Sequence, residues 1–372
     1  MITIMDKLDS IHVDEKKCME YLYKQWKETK PLKNNKILIN IHFTHSTLML
    51  PLIFLSAGAE LHMTCSNELV CHQDIKEIIT DLGIYRAPDD ILKNPQKHNY
   101  DVVIDCGGCF AQTLKPSVGF VELTHVDESC YRDAPCRVVS VDNSFIKFIE
   151  TSYGTGDGFV RAIEAQYKGN NQSYHDRKFM VFGYGKVGEG ICLCLEKSGV
   201  KKEDIIVIEI NEFLINNARQ KGFHSFSLIQ QKDEILRLLE TDINCAVTAT
   251  GIQNSISDFF NEHDFNNTEY LVNMGTYDEW GEKFKNDRVL NNKRPFNFVL
   301  SYPTKVLYLD PIFALLACAT LDIINDPPSS NTILQPPALE TQKKILDVWL
   351  QNNPLRKDVE TLWQKEKYFG ME

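Results

Sequence analysis

The residues best suited to chemistry start with Gly183-Tyr184-Gly185-Lys186-Val187-Gly188. Three glycines stand at G-x-G-x-x-G spacing, after the apolar run 179–182 and before a helix-like run from Ile191. The first glycine of such a set permits a tight turn, the second lets the backbone approach a pyrophosphate, and the third lets the helix lie close to the strand. The free N–H groups and positive dipole end of the helix then hold the phosphates. Glu209 ends the next apolar run, 205–208, and lies 26 residues after Gly183. A carboxylate there accepts hydrogen bonds from the adenosine ribose hydroxyls and repels a 2′-phosphate. Ile210 and Asn211 bring no Arg for such a phosphate, so NAD is expected rather than NADP. The bland alternative is a glycine-rich βα turn with a solvated Glu.

A second set gathers at the ends of the earlier apolar runs: His42, Thr44, Asn67, Asp105, Cys106, Glu122 and Thr124. Lys147 and Glu150 follow at a spacing of three, which puts them on one face of an α-helix. Cys106 and Cys109 have C-x-x-C spacing, suited to a redox pair or half a zinc site. The sequence lacks a second such pair or a nearby Cys/His pair to complete a tetrahedron, and no metal is expected.

These residues need elements to hold them. Strands are expected at 36–41, 60–64, 100–105, 118–121 and 137–141, with helices at 14–30, 48–57 and 73–82. Alternation of this kind predicts a parallel sheet covered on both faces, with ligands at the carboxyl ends of its strands. Tyr153 to Gly158 reads as a break and a hinge before a helix at 159–167. Beyond Glu209 a helix is expected at 213–221. Runs 245–251 and 270–276 read as strands ending in small polar residues. Asp310-Pro311 is expected to open an apolar helix at 314–324, and 339–349 reads as the last helix.

At 372 residues, two domains are the default. A net charge of −11 and a pI near 5.5 argue against nucleic-acid binding. No apolar run is read as a membrane span, and the first residues carry no signal-peptide pattern. Eleven cysteines, an odd number at irregular spacing, suggest free thiols in a reducing cytoplasm.

Taken in order, these segments resemble the S-adenosylhomocysteine hydrolase (adenosylhomocysteinase) family. Lys30-Pro31-Leu32-Lys33 with His42-Phe43-Thr44 is similar to that family's K-P-L-K…H-M-T segment. Gly58-Ala59-Glu60 through Asn67 and Gln73-Asp74 is similar to its G-A-E-V…N…T-Q-D segment. Gly183 to Gly190 is close to its G-Y-G-D-V-G-K-G, and Thr248-Ala249-Thr250-Gly251 and Asn273-Met274-Gly275 are similar to its T-T-T-G and N-I-G. The resemblance runs collinearly over roughly residues 20 to 325.

The resemblance implies an α/β protein of two domains. A Rossmann NAD-binding domain (155–308) is inserted in a flavodoxin-like or Rossmann-like parallel-sheet substrate domain. The latter covers 1–154, returns over 309–350 and is followed by a tail, 351–372. It also implies a reaction in which bound NAD+ oxidises the ribose 3′-OH of an adenosyl thioether, the 5′ thioether leaves, water adds, and the hydroxyl is restored. By the same resemblance His42, Thr44, Glu122 and Lys147 contact substrate, with Lys147 as base. Glu150 falls near a catalytic carboxylate. Thr124, Gly183, Gly185, Lys186, Val187, Gly188, Glu209, Thr250, Gly251, Asn273, Met274 and Gly275 contact NAD. The family is commonly tetrameric, and a homo-oligomer, dimer or tetramer, is expected.

Several positions depart from the family. Its D-D-G-G-D reads Asp105-Cys106-Gly107-Gly108-Cys109, its N-I-G-H ends in Thr276, and its G-H-P-S-F has Asp310 in place of His. Cys106 and Asp310 are the substitute acid/base candidates. The Lys and Tyr of the family's tail are not reproduced by Lys365, Lys367 and Tyr368. An NAD-dependent dehydrogenase or epimerase on another hydroxylated small molecule, and a non-catalytic NAD-binding regulatory protein, stay open as alternatives.

Overall fold

A computed structural model describes residues 15–134, 136–325 and 334–351, with 353, 355, 356 and 359. Most of the tail 351–372, including Lys365, Lys367 and Tyr368, lies outside these residues. The elements run α1 (Lys17–Thr29), β1 (Lys36–Asn40), α2 (Met49–Ser56), β2 (Glu60–Thr64), α3 (Gln73–Asp81), α4 (Pro88–Lys93), β3 (Val102–Asp105), β4 (Gly119–Glu122), β5 (Arg137–Ser140) and α5 (Phe145–Ile149). Then come α6 (Thr155–Gly169), β6 (Phe179–Phe182), α7 (Lys186–Lys197), β7 (Ile205–Glu209), α8 (Glu212–Gln220), β8 (His224–Ser227), α9 (Lys232–Thr241), β9 (Cys245–Thr248), β10 (Tyr270–Asn273), α10 (Val306–Asn325) and α11 (Leu339–Trp349).

The chain divides into two compact units, Met1–Ile149 with Val306–Glu372, and Glu150–Lys305. Each holds one five-stranded sheet, ordered β2-β1-β3-β4-β5 in the first and β10-β9-β6-β7-β8 in the second. All pairings are parallel. The central strands, such as Ile37-Leu38-Ile39 and Val102-Val103-Ile104, are buried apolar runs, as a sheet covered on both faces requires. The first order is the flavodoxin-like one and the second the Rossmann one. Each has a topological switch point where a ligand crevice forms: beside β1 and β3 in the first sheet, beside β6 and β9 in the second. This is the expected fold class.

Three local readings need correction. Tyr153 to Gly158 is not a break: Glu150–Gly154 forms a π-helical turn and α6 starts at Thr155. Its glycines serve close packing within the second unit. A Cβ on Gly156 would lie 2.3 Å from the Gly190 carbonyl oxygen, and one on Gly158 would lie 2.3 Å from that of Pro303. Secondly, two elements go unread in the sequence: β8, a short edge strand of mostly polar residues, His224-Ser225-Phe226-Ser227, and α9, although its Ile235 and Leu239 stand at helical spacing and are buried.

Thirdly, α10 begins at Val306 and contains Pro311. Proline has no N–H to give the carbonyl four residues back. That carbonyl, Leu307 O, instead accepts from the Trp349 indole N–H at 2.7 Å. The helix is also long and apolar enough to cross a membrane, contrary to the sequence reading, but 67% of its apolar window is buried inside the protein. It packs as a core helix of the first unit.

Candidate functional site

In the second unit, β6 ends at Phe182, and Gly183 after it turns with φ +92°. A Cβ there would lie 2.5 Å from the Ala249 carbonyl oxygen, and one on Gly188 would lie 2.0 Å from that of Gly183. Both positions therefore demand glycine for close approach. Gly185 is different: a Cβ there would meet nothing within 4 Å. It caps the exposed start of α7, where Lys186 and Val187 open the helix. The N–H groups of that first turn have no partner within the helix. Glu209 ends β7, half-buried. Its Oε2 accepts from Tyr184 N–H at 2.7 Å, and its Oε1 accepts from the N–H groups of Ile210 at 2.7 Å and Asn211 at 3.0 Å. A carboxylate fastened to the glycine turn, open space over the middle glycine and a helix N-terminus together fit a dinucleotide.

The rest of that carboxyl edge is internally bonded. Asn273 is wholly buried. Its amide donates to the carbonyls of Tyr277 at 2.8 Å and Lys293 at 2.6 Å, and its oxygen accepts from the Thr248 hydroxyl at 3.0 Å. Its side chain holds the turn after β10. Thr250 and Gly251 give their N–H groups to Glu279. Met274 is buried in the core beside β10, and a Cβ on Gly275 would strike the Glu279 carboxylate rather than open space. Glu150 opens this unit's π-helical turn, buried.

In the first unit, His42 follows β1 and Cys106 follows β3, on the two sides of the switch point. His42 is half-buried, and its Nδ1 accepts from Val70 N–H at 2.9 Å. Burial, then the Lys147 charge, lowers its pKa to about 4. The imidazole is therefore neutral, with its proton on Nε2. Lys147 lies on α5, whose first turn is held by Ser144 Oγ accepting from Lys147 N–H at 3.0 Å. Thr44 caps a short 3₁₀ turn, paired reciprocally with Thr47.

Three candidates, the expected substrate contact Glu122 and the acid/base candidates Cys106 and Asp310, are engaged by the fold itself. Glu122 is wholly buried. Its Oε1 accepts from Gly107 N–H at 3.0 Å, Thr124 N–H at 2.9 Å and the Thr124 hydroxyl at 2.8 Å. Its Oε2 accepts from Gly108 N–H at 3.0 Å and the Tyr131 hydroxyl at 2.7 Å. Five internal donors leave it no lone pair for a ribose, so Glu122 and Thr124 shape the loop after β3. Cys106 is buried, its thiol is pushed well above its ordinary range by burial and then by Glu122, and it contacts the Thr124 side chain. A neutral thiol cannot act as the missing carboxylate. Asp310 is wholly buried and accepts from the N–H groups of Cys18 at 2.8 Å and Met19 at 2.9 Å. It caps α1, whose own N-cap Lys16 makes no side-chain cap bond.

All eleven cysteines are free. Among the described residues no group of three or more His, Cys, Asp or Glu could hold a metal.

The TrkA-N domain family matches residues 179–256, the glycine turn through the segment after β9. Adenosylhomocysteinase of Thermococcus kodakarensis is 23% identical over 259 residues, covering 61% of this chain and 59% of that protein. S-inosyl-L-homocysteine hydrolase of Methanocaldococcus jannaschii is 24% identical over 342 residues, covering 81% of this chain and 76% of that protein. The chain is a diverged relative of the adenosylhomocysteinases. It spans 59% of the Thermococcus adenosylhomocysteinase and 56% of the one from Aquifex aeolicus. Among solved structures, a dipicolinate synthase chain from Bacillus halodurans aligns with a TM-score of 0.48 and 13% identity, over 77% of this chain and 99% of that one.

Proposed function

We propose that the protein is an adenosylhomocysteinase-like enzyme. It holds NAD+ on the second unit's glycine turn and Glu209, and it oxidises the ribose 3′-hydroxyl of a nucleoside thioether of the S-adenosylhomocysteine class, with reversible elimination and hydration. One observation carries the reading. At the first sheet's switch point, the Lys147 charge acts on both His42 and Cys106, so a cation and a neutral imidazole converge where a flavodoxin-order sheet binds its ligand. Bound NAD+ supplies the hydride acceptor.

The chain's own residues handle the protons. Lys147 takes the hydroxyl proton once its own ammonium has given a proton up to solvent and exposed the amine lone pair, and the Nε2–H of His42 donates a hydrogen bond to a substrate oxygen. Support for the substrate class comes from the hydrolase relatives, one acting on an inosyl and the others on adenosyl thioethers by name.

A second reading stops at the redox step: an NAD-dependent oxidoreductase acting on a hydroxylated small molecule. The engagement of Asp310 as a helix cap and the neutral state of Cys106 favour it, because positioned acid/base groups contribute about 10²- to 10⁴-fold each. The deciding experiment measures homocysteine release from S-adenosylhomocysteine and S-inosylhomocysteine with a thiol reagent, against a no-substrate blank for the protein's own cysteines. Release supports the full reaction. Nicotinamide reduction without release supports the second reading. Neither signal from NAD+-loaded protein rejects both and leaves the non-catalytic alternative.

A further inference from the structure

Glu279 belongs to no motif in the sequence, yet it holds two loops of the second unit at once. Its side chain is wholly buried. Oε2 accepts from Thr250 N–H at 2.8 Å and Oε1 accepts from Gly251 N–H at 2.7 Å. The same carboxylate lies over Gly275, where an added Cβ would sit 1.9 Å from Oε1 and 2.5 Å from the carboxyl carbon. The Glu279 backbone carbonyl accepts from Ile256 N–H at 2.9 Å. One residue therefore fastens the loop after β9 to the turn after β10, and it explains why position 275 is glycine. A carboxylate is retained in a buried place only when its oxygens are bonded, and here each oxygen meets a backbone donor.

These loops sit at a defined place in the sheet. A Rossmann sheet binds the two mononucleotides of a dinucleotide on its two halves, either side of the switch point. The half with β6, β7 and β8 carries the glycine turn and Glu209, which suit the adenylate. The half with β9 and β10 is left for the other nucleotide, and its edge is Thr250, Gly251 and Gly275.

We infer that Glu279 is a positioning residue for the nicotinamide half of the cofactor site, holding the backbone of 250–251 and 275 in the shape that half requires. This rests on the NAD reading above. Glu279 does not touch the adenylate half, so its loss must weaken NAD+ more than ADP-ribose, which lacks only the nicotinamide.

Calorimetric binding of NAD+ and of ADP-ribose to the full chain tests this. Glu279→Gln keeps the side-chain size but offers one acceptor to two N–H groups. It should weaken NAD+ by about 10-fold or more and ADP-ribose by no more than about twofold, since a lost charged hydrogen bond is worth that order. Equal weakening of both ligands, or unchanged NAD+ affinity, overturns the inference. A wild type that binds neither ligand rejects the NAD reading itself.

Gly275→Ala, which pushes the carboxylate aside without removing it, should give the same split, and equal weakening again overturns the inference. Should neither variant fold, amide exchange on the wild type decides. The 248–256 peptide should gain protection with NAD+ and not with ADP-ribose, and equal protection counts against it.

Discussion

The backbone N–H of Val70 donates to Nδ1 of His42 at 2.9 Å. This bond sets the tautomer, because a ring nitrogen that accepts cannot also carry the proton. The pKa of His42, lowered by burial to about 4, lies below the ordinary value of about 6.5. A depressed base contributes stability that is fully present above its unfolded pKa and is lost as pH falls through the folded one. His42→Asn should therefore flatten part of the stability loss between about pH 6.5 and 4. His62, lowered to about 4 by burial and then by Arg86, should keep the remainder. An unchanged slope in unfolding free energy against pH would mean that His42 is not neutral in the folded chain.

Asp310 reaches the start of α1 from 292 residues along the chain. Asp310→Ala removes the acceptor of two buried N–H groups and should cost about 1–3 kcal/mol in urea unfolding. NAD+ affinity should be unaffected, since the residue makes its bonds within the first unit. Normal stability with lost turnover would return Asp310 to the catalytic set.

The glycines of the turn separate packing from binding. Gly188→Ala and Gly190→Ala each place a Cβ 2.0 Å from a backbone carbonyl oxygen. Thermal unfolding should show losses of about 1–3 kcal/mol or more, because a backbone atom must move. Gly185→Ala meets nothing within 4 Å and should melt as the wild type does, yet bind NAD+ weakly as its methyl enters the space left for the pyrophosphate. Equal melting losses at all three positions would mean that Gly185 is also a packing glycine.

What was legible from sequence was local. The glycine turn and Glu209 announce themselves by spacing, and the sheets by apolar runs that alternate with helices. Residues that act across the fold leave little trace in the sequence. Glu122 and Asp310 look like free carboxylates in sequence, but their partners lie at 107–108 and 131, and at 18–19. Glu279 pairs with backbone N–H groups 28 and 29 residues earlier, and backbone donors leave no mark on composition. The glycines of 154–158 looked like a hinge because sequence cannot tell a flexible glycine from one pressed against a neighbouring carbonyl.

The central claim is that this chain uses NAD+ to oxidise a nucleoside thioether with Lys147 as base. The most direct measurement is nicotinamide absorbance of NAD+-loaded protein after adding S-adenosylhomocysteine or S-inosylhomocysteine, for the wild type and for Lys147→Ala. The account predicts reduced nicotinamide in the wild type with at least one of the two and none in the variant. Reduction that survives in Lys147→Ala, or no reduction by either thioether while NAD+ is bound, would contradict it.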